Sequence, residues 1–332
     1  MAHELSSTTL KILDILNDCK VHAGTDIAGD LHISRTAIWK VINRLKHYDV
    51  DIQSHHQGYG LKSPLILLDK KKIEDLINDP SITLECFETL PSTSEYLKDK
   101  IPLNNPLVCL VEHQSKGKGR MGRSWASPFG RNIYCSFSTL FHKDISEMSG
   151  LSLVVGILTA NVLESLDPKV KPLLKWPNDL YVNHKKMGGI LIDIIAEAYG
   201  NCTAIISVGL NINMKDAELE GVDQPWTSLE HMLNVKSDRN LIVAQLIQSV
   251  FKGIDVFAKH GMEPFLDKWK EYDLLENKHI SVSQGAEIIS GIARGINPQG
   301  YLLLELLSGE VRKLSYGDTT LLKNGSDSSK RI

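Results

Sequence analysis

Residues 116–130 combine glycines, positive charges and an aromatic side chain at a spacing that suits anion binding. Glycines let the backbone turn its N–H groups toward a bound group, and interleaved cations add positive charge. The glycines are Gly117, Gly119 and Gly122, the cations are Lys116, Lys118, Arg120 and Arg123, and the aromatic residue is Trp125. We therefore expect a loop that wraps an anion, and a nucleotide phosphate is the anion that fits best.

The same stretch matches G-x-G-x-x-G, which alone is weak support for dinucleotide binding. A dinucleotide fingerprint needs a helix directly after its last glycine to receive the pyrophosphate. Here Pro128 and Gly130 would interrupt such a helix, and the chain has no G-x-x-x-x-G-K-[ST] phosphate loop. Rossmann and P-loop sites are therefore disfavoured, and a solvated basic surface loop remains the alternative.

A second group of reactive side chains lies in residues 175–189. The run Lys175-Trp-Pro-Asn-Asp places a cation, an indole, an amide and a carboxylate beside a predicted strand. A turn then leads to Lys186, followed by Gly188 and Gly189, which permit close approach of a ligand to the backbone. A single loop lysine is usually solvated, but this setting favours a site.

Hydroxyl and amide groups mark two further positions. Ser92, Thr93 and Ser94 lie at a predicted strand-to-helix turn, where hydroxyls either cap the helix or bind a small ligand. Asn211 and Asn213 end a predicted buried strand at 204–213, where amides can hold a triphosphate, although Asn is also a common turn residue. The sequence leaves both alternatives open.

The predicted elements would position these groups on a sheet. Strands at 107–112 and 132–138 flank the basic loop, and an apolar helix at 149–166 backs the sheet. Helices are predicted at 241–260 and 264–272. From residue 278 the pattern changes to short strands and turns, which is typical of a small antiparallel barrel.

The first 64 residues predict three short helices and a hairpin, the pattern of a winged helix-turn-helix domain. Thr25 is expected to cap the second helix and Ser34 the third. Arg, Lys and Asn side chains on the outer face of the third helix suit base edges and phosphates in a DNA major groove. The candidate DNA-binding residues are Ser34, Arg35, Thr36, Lys40, Asn43 and Arg44. Because acidic and basic residues are balanced in this segment, a helical cap or dimerisation element is the alternative.

The whole chain sets further bounds. A chain of 332 residues predicts roughly two or three domains, and a net charge of -3 excludes a surface covered with nucleic-acid contacts. The five cysteines have no close metal-type spacing, which indicates reduced thiols. The sequence shows no secretory signal and no apolar run of membrane-spanning length, so we expect a soluble cytoplasmic protein without membrane contact. The predicted segments are a DNA-binding domain (1–64), a central domain (65–275), a C-terminal domain (276–323) and a disordered tail (324–332).

Taken together, these motifs resemble the biotin protein ligases, and most closely the bifunctional bacterial kind that also represses the biotin operon. The resemblance covers nearly the whole chain, because several motifs occur in the family's order. They are Ser34-Arg-Thr-Ala-Ile, Ser92-Thr93, Gly117-Lys-Gly-Arg-Met-Gly-Arg-Ser-Trp, Lys175-Trp-Pro-Asn-Asp-Leu, Lys186-Met-Gly-Gly-Ile and Gly209-Leu-Asn-Ile-Asn. The implied fold is α+β and multidomain: a winged helix-turn-helix, a mixed sheet with helices like that of class II synthetases, and an SH3-like barrel.

The resemblance implies a reaction in two steps. The biotin carboxylate attacks the α-phosphate of ATP, brought with Mg²⁺, to give biotinyl-5'-AMP, and a lysine of the biotin carboxyl carrier protein of acetyl-CoA carboxylase then attacks this anhydride. The implied catalytic residues are Lys186, Arg120, Lys118 and Asp179, with Asp179 as a candidate base for the acceptor lysine. The implied biotin contacts are Ser92, Thr93, Ser94, Gln114, Lys118, Gly119, Arg120, Lys186 and Gly188. The implied contacts with ATP or the adenylate are Gly117, Arg120, Arg123, Trp125, Lys175, Asn178, Asp179 and Asn213, and no residue is assigned as a metal ligand.

The resemblance also implies operator DNA as a partner and a homodimer promoted by the adenylate. Two positions depart from the family: Lys118 replaces the usual arginine, which removes a planar bidentate fork, and Gly189 replaces a small non-glycine residue. A lipoate or octanoyl ligase is a competing prediction, although such enzymes normally lack a winged helix. A biotin-sensing transcription regulator with a degenerate ligase domain is another, which the intact loop and Lys186 disfavour.

Overall fold

The computed structural model describes residues 6–102, 105–196, 200–215 and 224–322. The predicted disordered tail at 324–332 lies outside the described residues. The chain divides into two compact units. The first comprises Met1–Phe137, Gly209–Val222 and Ser228–Val243, and the second comprises Ser138–Val208, Asp223–Thr227 and Ala244–Ile332.

The amino-terminal part of the first unit has the predicted three helices and hairpin. Its elements are α1 (Ser7–Leu16), α2 (Gly24–Leu31), α3 (Arg35–His47), β1 (Ile52–His55) and β2 (Gly58–Leu61). Ser34 caps α3 as predicted, since its hydroxyl accepts a hydrogen bond from the Ala37 amide at 3.1 Å. The prediction for Thr25 is wrong: α2 begins at Gly24, and the Thr25 hydroxyl donates to Asp26 from within the helix.

The rest of the first unit begins the central sheet. Asp69 caps α4, and the basic run at 70–72 forms the first turn of this helix. The following elements are α4 (Lys70–Ile77), β3 (Thr83–Leu90), α5 (Thr93–Lys98), β4 (Leu107–Gln114) and β5 (Ile133–Phe141), and β5 ends in the second unit. Strands β3 and β4 are parallel. Arg239 connects two segments of the first unit. Its buried guanidinium forms an ion pair of 2.7 Å with buried Glu112 of β4 and donates a hydrogen bond to the Asn132 carbonyl, just before β5.

The second unit supplies most of the remaining strands. Its elements continue with α6 (Leu151–Leu166), β6 (Pro172–Lys175), β7 (Asp179–Val182), β8 (Lys185–Ala196) and β9 (Cys202–Leu210), of which β9 ends in the first unit. The sheet has the strand order β3-β4-β5-β9-β8-β7-β6. Parallel and antiparallel pairs both occur, since β7 is antiparallel to β6 and to β8. This is the predicted mixed sheet.

Helices and a second sheet complete the chain. They are α7 (Leu229–Leu233), α8 (Arg239–His260), α9 (Leu266–Tyr272) and β10 (His279–Gln284), β11 (Glu287–Ile296), β12 (Leu302–Glu305), β13 (Val311–Leu314) and β14 (Asp318–Leu321). The last five strands form an antiparallel sheet in the order β13-β12-β11-β10-β14, which confirms the predicted change of pattern.

Two helical stretches are long and apolar enough to cross a membrane by length and composition alone, contrary to the sequence expectation. They are Ile145–Leu166 and Arg239–His260. Within the structure, 61% and 50% of their most apolar windows are buried. Core helices of soluble proteins pass the same test, so these two are weak evidence for a membrane span.

Candidate active site and DNA-contacting helix

The hydroxyl cluster at the start of α5 is buried in the first unit. Ser92, Thr93 and Ser94 are each at most 3% exposed. Ser92 occupies the N-cap position, yet its side chain makes no capping hydrogen bond and instead contacts the Ser94 hydroxyl at 2.9 Å. The capping alternative for Ser92 is therefore wrong, and its hydroxyl is available for another polar role.

A hydrogen-bond chain connects this cluster to the end of the basic loop. The Thr93 amide and hydroxyl both donate to the Gln114 side-chain oxygen, at 2.9 and 3.2 Å. The Gln114 amide nitrogen donates to the Ser127 hydroxyl at 3.1 Å, and the Ser136 hydroxyl donates to Thr93 at 2.7 Å. The sequence did not single out Ser127 or Ser136. Ser127 follows Trp125 by two residues and Ser136 lies on β5, but no local sequence pattern indicates that either side chain contacts Thr93 or Gln114.

The basic loop closes on itself. The amides of Gly119, Arg123 and Trp125 donate to the carbonyls of Arg123, Arg120 and Gly117 respectively, at 2.7 to 3.1 Å. The prediction that backbone N–H groups turn toward an anion is therefore wrong for these three amides, because the loop's own carbonyls occupy them. The predicted anion contact therefore depends on the positive side chains of the loop rather than on these amides.

Lys118 forms an ion pair with Glu95 of α5. Their charged atoms lie 3.0 Å apart, and both side chains are nearly half exposed, at 49% and 42%. Hydrogen bonds from Lys118 and then from Lys98 hold the pKa of Glu95 below its ordinary value. Glu95 therefore holds Lys118 beside the helix that begins at the hydroxyl cluster. The sequence did not identify Glu95, since helix-surface acids are common.

Trp125 lies against Gly209, in the part of strand β9 that belongs to the same unit. A Cβ atom at Gly209 would lie 2.7 Å from the indole ring, which is closer than a Cβ atom approaches another heavy atom without a hydrogen bond or a covalent link. The strand therefore needs glycine here to admit the indole. Gly117 is also buried, and a side chain there would collide with the Trp125 carbonyl. Both glycines thus serve the placement of Trp125.

The second unit places Lys186 and Asp179 on a hairpin. Residues Asn183 and His184, both at positive φ, turn the chain from β7 into β8. Lys186 and Asp179 make an ion pair of 2.7 Å, with side-chain exposures of 13% and 19%. The Lys186 backbone is also fixed, because its amide donates to the Pro225 carbonyl and its carbonyl accepts from the Thr227 amide. The predicted reactive lysine is thus half-buried on a strand.

The other predicted residues of this segment, Asn178, Lys175 and Gly188, make contacts that stabilise the hairpin. The Asn178 side chain donates to the Ile190 carbonyl at 2.8 Å, and the Ile190 amide donates back to the Asn178 carbonyl at 2.9 Å. Lys175 ends β6 with its ammonium 5.7 Å from the Tyr181 ring centre. Gly188 is buried and paired with Leu180. Asn178 therefore connects the start of β7 to β8 through two hydrogen bonds with Ile190.

The Asn213 side chain is held by the backbone of a neighbouring segment. Its side chain is 1% exposed, and both ends of its amide bind the Ser237 backbone at 2.9 Å. These two bonds use one N–H group and one lone pair of an amide that has two of each, so they position Asn213 and leave capacity for a further contact. The contact of Asn213 with the nucleotide stays a prediction.

The outer face of α3 carries most of the predicted DNA-contacting residues. Arg35, Thr36, Lys40 and Asn43 are exposed, while the opposite face packs into the core through Ile38, Val41, Ile42 and Leu45. Lys46 donates to Ser54 of the wing at 2.7 Å. The helix thus presents a polar face beside a hairpin, as a winged helix-turn-helix requires.

Arg44 is the exception on this face. Its guanidinium lies 2.9 Å from the buried carboxylate of Glu88 on β3 and 2.6 Å from the Thr9 hydroxyl. Next to it, the Tyr48 ring stacks on His113 and on Phe129. Arg44 thus anchors α3 to the sheet of its own unit, because a buried carboxylate needs a charged partner. Its side chain is still 41% exposed, and its contact with DNA stays a prediction.

Comparisons with known proteins identify the domains of this chain. The helix-turn-helix domain model matches residues 8–60, the biotin/lipoate A/B protein ligase family model matches residues 86–213, and the biotin protein ligase C-terminal domain model matches residues 277–320. A biotin protein ligase from Aquifex aeolicus, solved in complex with biotin and ATP, superposes with a TM-score of 0.61. It is 24% identical and covers 73% of this chain and 99% of its own, which supports the fold.

Full-length relatives are more similar. The bifunctional ligase/repressor BirA of Salmonella typhimurium is 34% identical over 95% of this chain and 98% of its own. The protein of the same description from Escherichia coli is 35% identical over 90% and 93%. At this identity and coverage, the chain belongs to the biotin protein ligase family, with the domain set of its bifunctional ligase/repressor members.

Proposed function

We propose that this protein activates biotin with ATP and transfers it to a lysine of the biotin carboxyl carrier protein of acetyl-CoA carboxylase. In the first step a biotin carboxylate oxygen bonds to the α-phosphorus and pyrophosphate leaves. In the second step the acceptor amine bonds to the acyl carbon and AMP leaves, while the amine loses a proton. Both steps bring together anionic or electron-rich groups, so fixed positive charge lowers their barriers.

The single observation that carries this proposal is the half-buried ion pair of Lys186 with Asp179. Burial strengthens the field of the ammonium, and the strand fixes its position before substrate arrives. We assign Lys186 to the biotin carboxylate and the α-phosphate, where negative charge develops. Asp179 orients it and is the candidate acceptor of the proton from the carrier lysine.

The first unit supplies the proposed contacts for the biotin head group. Ser92, Thr93 and Ser94 form a buried polar cluster, and Gln114 is already tied to it through Thr93. Hydroxyls and amides of this kind suit the donors and acceptors of a ureido ring. Lys118, Arg120 and Gly119 are proposed on the carboxylate side.

The proposed nucleotide contacts are Gly117, Arg120, Arg123, Trp125, Lys175, Asn178, Asp179 and Asn213. Trp125 offers a flat aromatic surface for a base, and the cations offer charge to the phosphates. We propose that Mg²⁺ enters with ATP and is held by its phosphates. Among the described residues, no group of three or more His, Cys, Asp or Glu side chains could hold a metal.

We further propose that α3 and the wing bind operator DNA and that adenylate promotes a homodimer that presents two such helices. Symmetric dimers match operators built of two half-sites. The corresponding location is the cytoplasm, where the carrier protein and the DNA are found together. The exposed polar face of α3 supports the DNA contact.

A mass shift of the carrier domain tests the enzymatic proposal. Wild-type protein, incubated with biotin, ATP, Mg²⁺ and the carrier domain, should add one biotinyl group, and no group without ATP. Transfer of lipoate or octanoate in preference to biotin would favour the lipoate ligase alternative. Operator binding without any transfer would favour the sensor alternative, a regulator whose ligase domain has lost turnover.

A further inference from the structure

The exposed face of α3 contains a large apolar side chain that the DNA-binding assignment did not use. Trp39 is 55% exposed. It lies four residues after Arg35, three after Thr36 and four before Asn43, so helical geometry places it in the middle of the face that these residues form. Its indole is thus surrounded by the side chains proposed to contact DNA.

The core does not account for Trp39. The buried stripe of α3 consists of Ile38, Val41, Ile42 and Leu45, each at most 8% exposed. Within residues 6–64, Val21 and Trp39 are the large apolar side chains that remain strongly exposed, and Val21 lies outside α3. An indole in this position keeps a large apolar surface in water until a partner covers it.

Two of the cations of α3 have partners within the protein, and two others are exposed. Arg44 binds Glu88, and Lys46 donates to Ser54, so both are engaged within the protein. Arg35 and Lys40 are exposed and form no ion pair among the described residues. The positive charge left to attract DNA therefore flanks Trp39 in the first half of the helix, the half that contacts base edges in helix-turn-helix complexes.

The chemistry of the major groove supplies an apolar partner. The C5-methyl group of thymine is the one apolar group that the base pairs present there. We propose that Trp39 contacts thymine methyl groups and so makes α3 select for thymine at one position of each half-site. This inference rests on the proposed operator binding and adds the base that it selects.

Substitution of single thymines tests the contact. The probe is the duplex that wild-type protein, with biotin and ATP, enriches from a library with a randomised centre. Each thymine is replaced in turn by deoxyuridine, which removes only the methyl group, and dissociation constants are measured by fluorescence anisotropy. At one thymine per half-site, wild type should lose about fourfold in affinity, the effect of one buried methyl-sized group.

Trp39→Ala should weaken binding to the thymine duplex by at least this factor and should show no further loss with deoxyuridine. Lys40→Ala is the matched control on the same face. As a phosphate contact, it should weaken all duplexes alike and keep the deoxyuridine effect. Thermal unfolding checks that both exposed-site variants remain folded.

Failure of operator binding and failure of the thymine contact give different results. If wild type enriches no duplex, the proposed operator binding fails, and the inference with it. If wild type binds but Trp39→Ala retains the full deoxyuridine effect, Trp39 does not contact the methyl group, and the inference alone is overturned, whether or not Trp39→Ala weakens binding. A Trp39→Ala loss caused by a weaker dimer would give this second result.

Discussion

Two lysines that the family resemblance assigns to biotin, one in each unit, are held in different ways. Lys118 lies on a surface loop and pairs with Glu95 at 3.0 Å, with both side chains nearly half exposed. Lys186 lies on strand β8 and pairs with Asp179 at 2.7 Å, with side-chain exposures of 13% and 19%. Water screens the first pair strongly and the second weakly. The two side chains have the same chemistry, but the more buried ammonium of Lys186 interacts more strongly with nearby negative charge than the exposed ammonium of Lys118 does.

The backbone extends this contrast. Lys186 is bound through its own amide and carbonyl to Pro225 and Thr227, so its position does not depend on its side-chain partner alone. In the basic loop, hydrogen bonds close the loop internally and leave the Lys118 side chain to an exposed carboxylate. We infer that Lys186 is positioned in advance and that Lys118 exchanges Glu95 for a ligand. The following predictions test that division, from the largest effect to the smallest.

Replacing Lys186 by Ala should have the largest effect. Removal of one fixed group that stabilises developing charge costs about 10²–10³-fold in rate. Biotin-dependent release of pyrophosphate measures the loss. The matched control is Lys185→Ala, the exposed neighbour on the same strand, which should keep nearly full activity. Equal activity of the two variants would show that the half-buried lysine has no special role.

Replacing Asp179 by Asn should separate its two proposed roles. The variant loses the ion pair with Lys186, which slows adenylate formation. Loss of a proton acceptor should slow transfer to the carrier further, by about 10²-fold. Rapid-quench measurements of the two steps give the comparison. If transfer slows no more than adenylate formation, Asp179 orients Lys186 and does not accept the proton.

Replacing Lys118 by Arg should slow adenylate dissociation. The guanidinium restores a bidentate fork that a lysine lacks, and one additional hydrogen bond of about 1 kcal/mol corresponds to roughly a fivefold change. Dissociation of preformed biotinyl-5'-AMP is measured by competition with excess biotin and ATP. An unchanged dissociation rate would show that the departure from the family's usual arginine has no effect on retention.

Replacing Glu95 by Gln should have the smallest effect, because it removes an exposed ion pair worth roughly 0.2–1 kcal/mol. Without the competing carboxylate, Lys118 should hold the adenylate up to about fivefold longer, and high salt should abolish the difference. Glu95→Asp, which keeps the charge, is the matched control and should resemble wild type. If Glu95→Gln speeds dissociation, Glu95 supports the loop rather than competing for Lys118.

This pair also has a defined pH dependence. Lys118, and then Lys98, hold the pKa of Glu95 below its ordinary value of 4.5. A depressed carboxyl pKa means that the contact stabilises the folded protein above 4.5 and is lost as pH falls through the lower folded pKa. NMR titration of the Glu95 carboxyl group should show this low value, and Lys118→Ala should raise it. A titration unaffected by Lys118→Ala would separate the two residues.

The sequence predicted the elements better than the contacts. Hydrophobic periodicity located α3, the wing and the strands around the basic loop because these patterns depend on burial of one face. It could not show that Arg44 turns to Glu88, more than forty residues away, or that the Asn213 amide is used by Ser237. Such pairings follow from tertiary packing, which local residue types do not encode.

The candidate site shows the same limit. Family motifs identified Lys186, Asp179 and the hydroxyls at 92–94, and the structure gives them burial or polar partners. The sequence does not indicate their partners, which are Glu95, Ser127 and Ser136, because an isolated Ser or Glu is common on any surface. Conversely, the glycine-rich loop predicted inward amides, whereas its hydrogen bonds close the loop on itself.

A single-turnover measurement tests the central claim most directly. Protein in excess over biotin is mixed with ATP and Mg²⁺, quenched at successive times and assayed for biotinyl-5'-AMP, with carrier domain added in a second mixing step. Biotinyl-5'-AMP and pyrophosphate should rise together, and the adenylate should disappear as biotinylated carrier forms. Biotinylated carrier without a preceding adenylate, or no adenylate in wild type, would contradict the proposed two-step reaction.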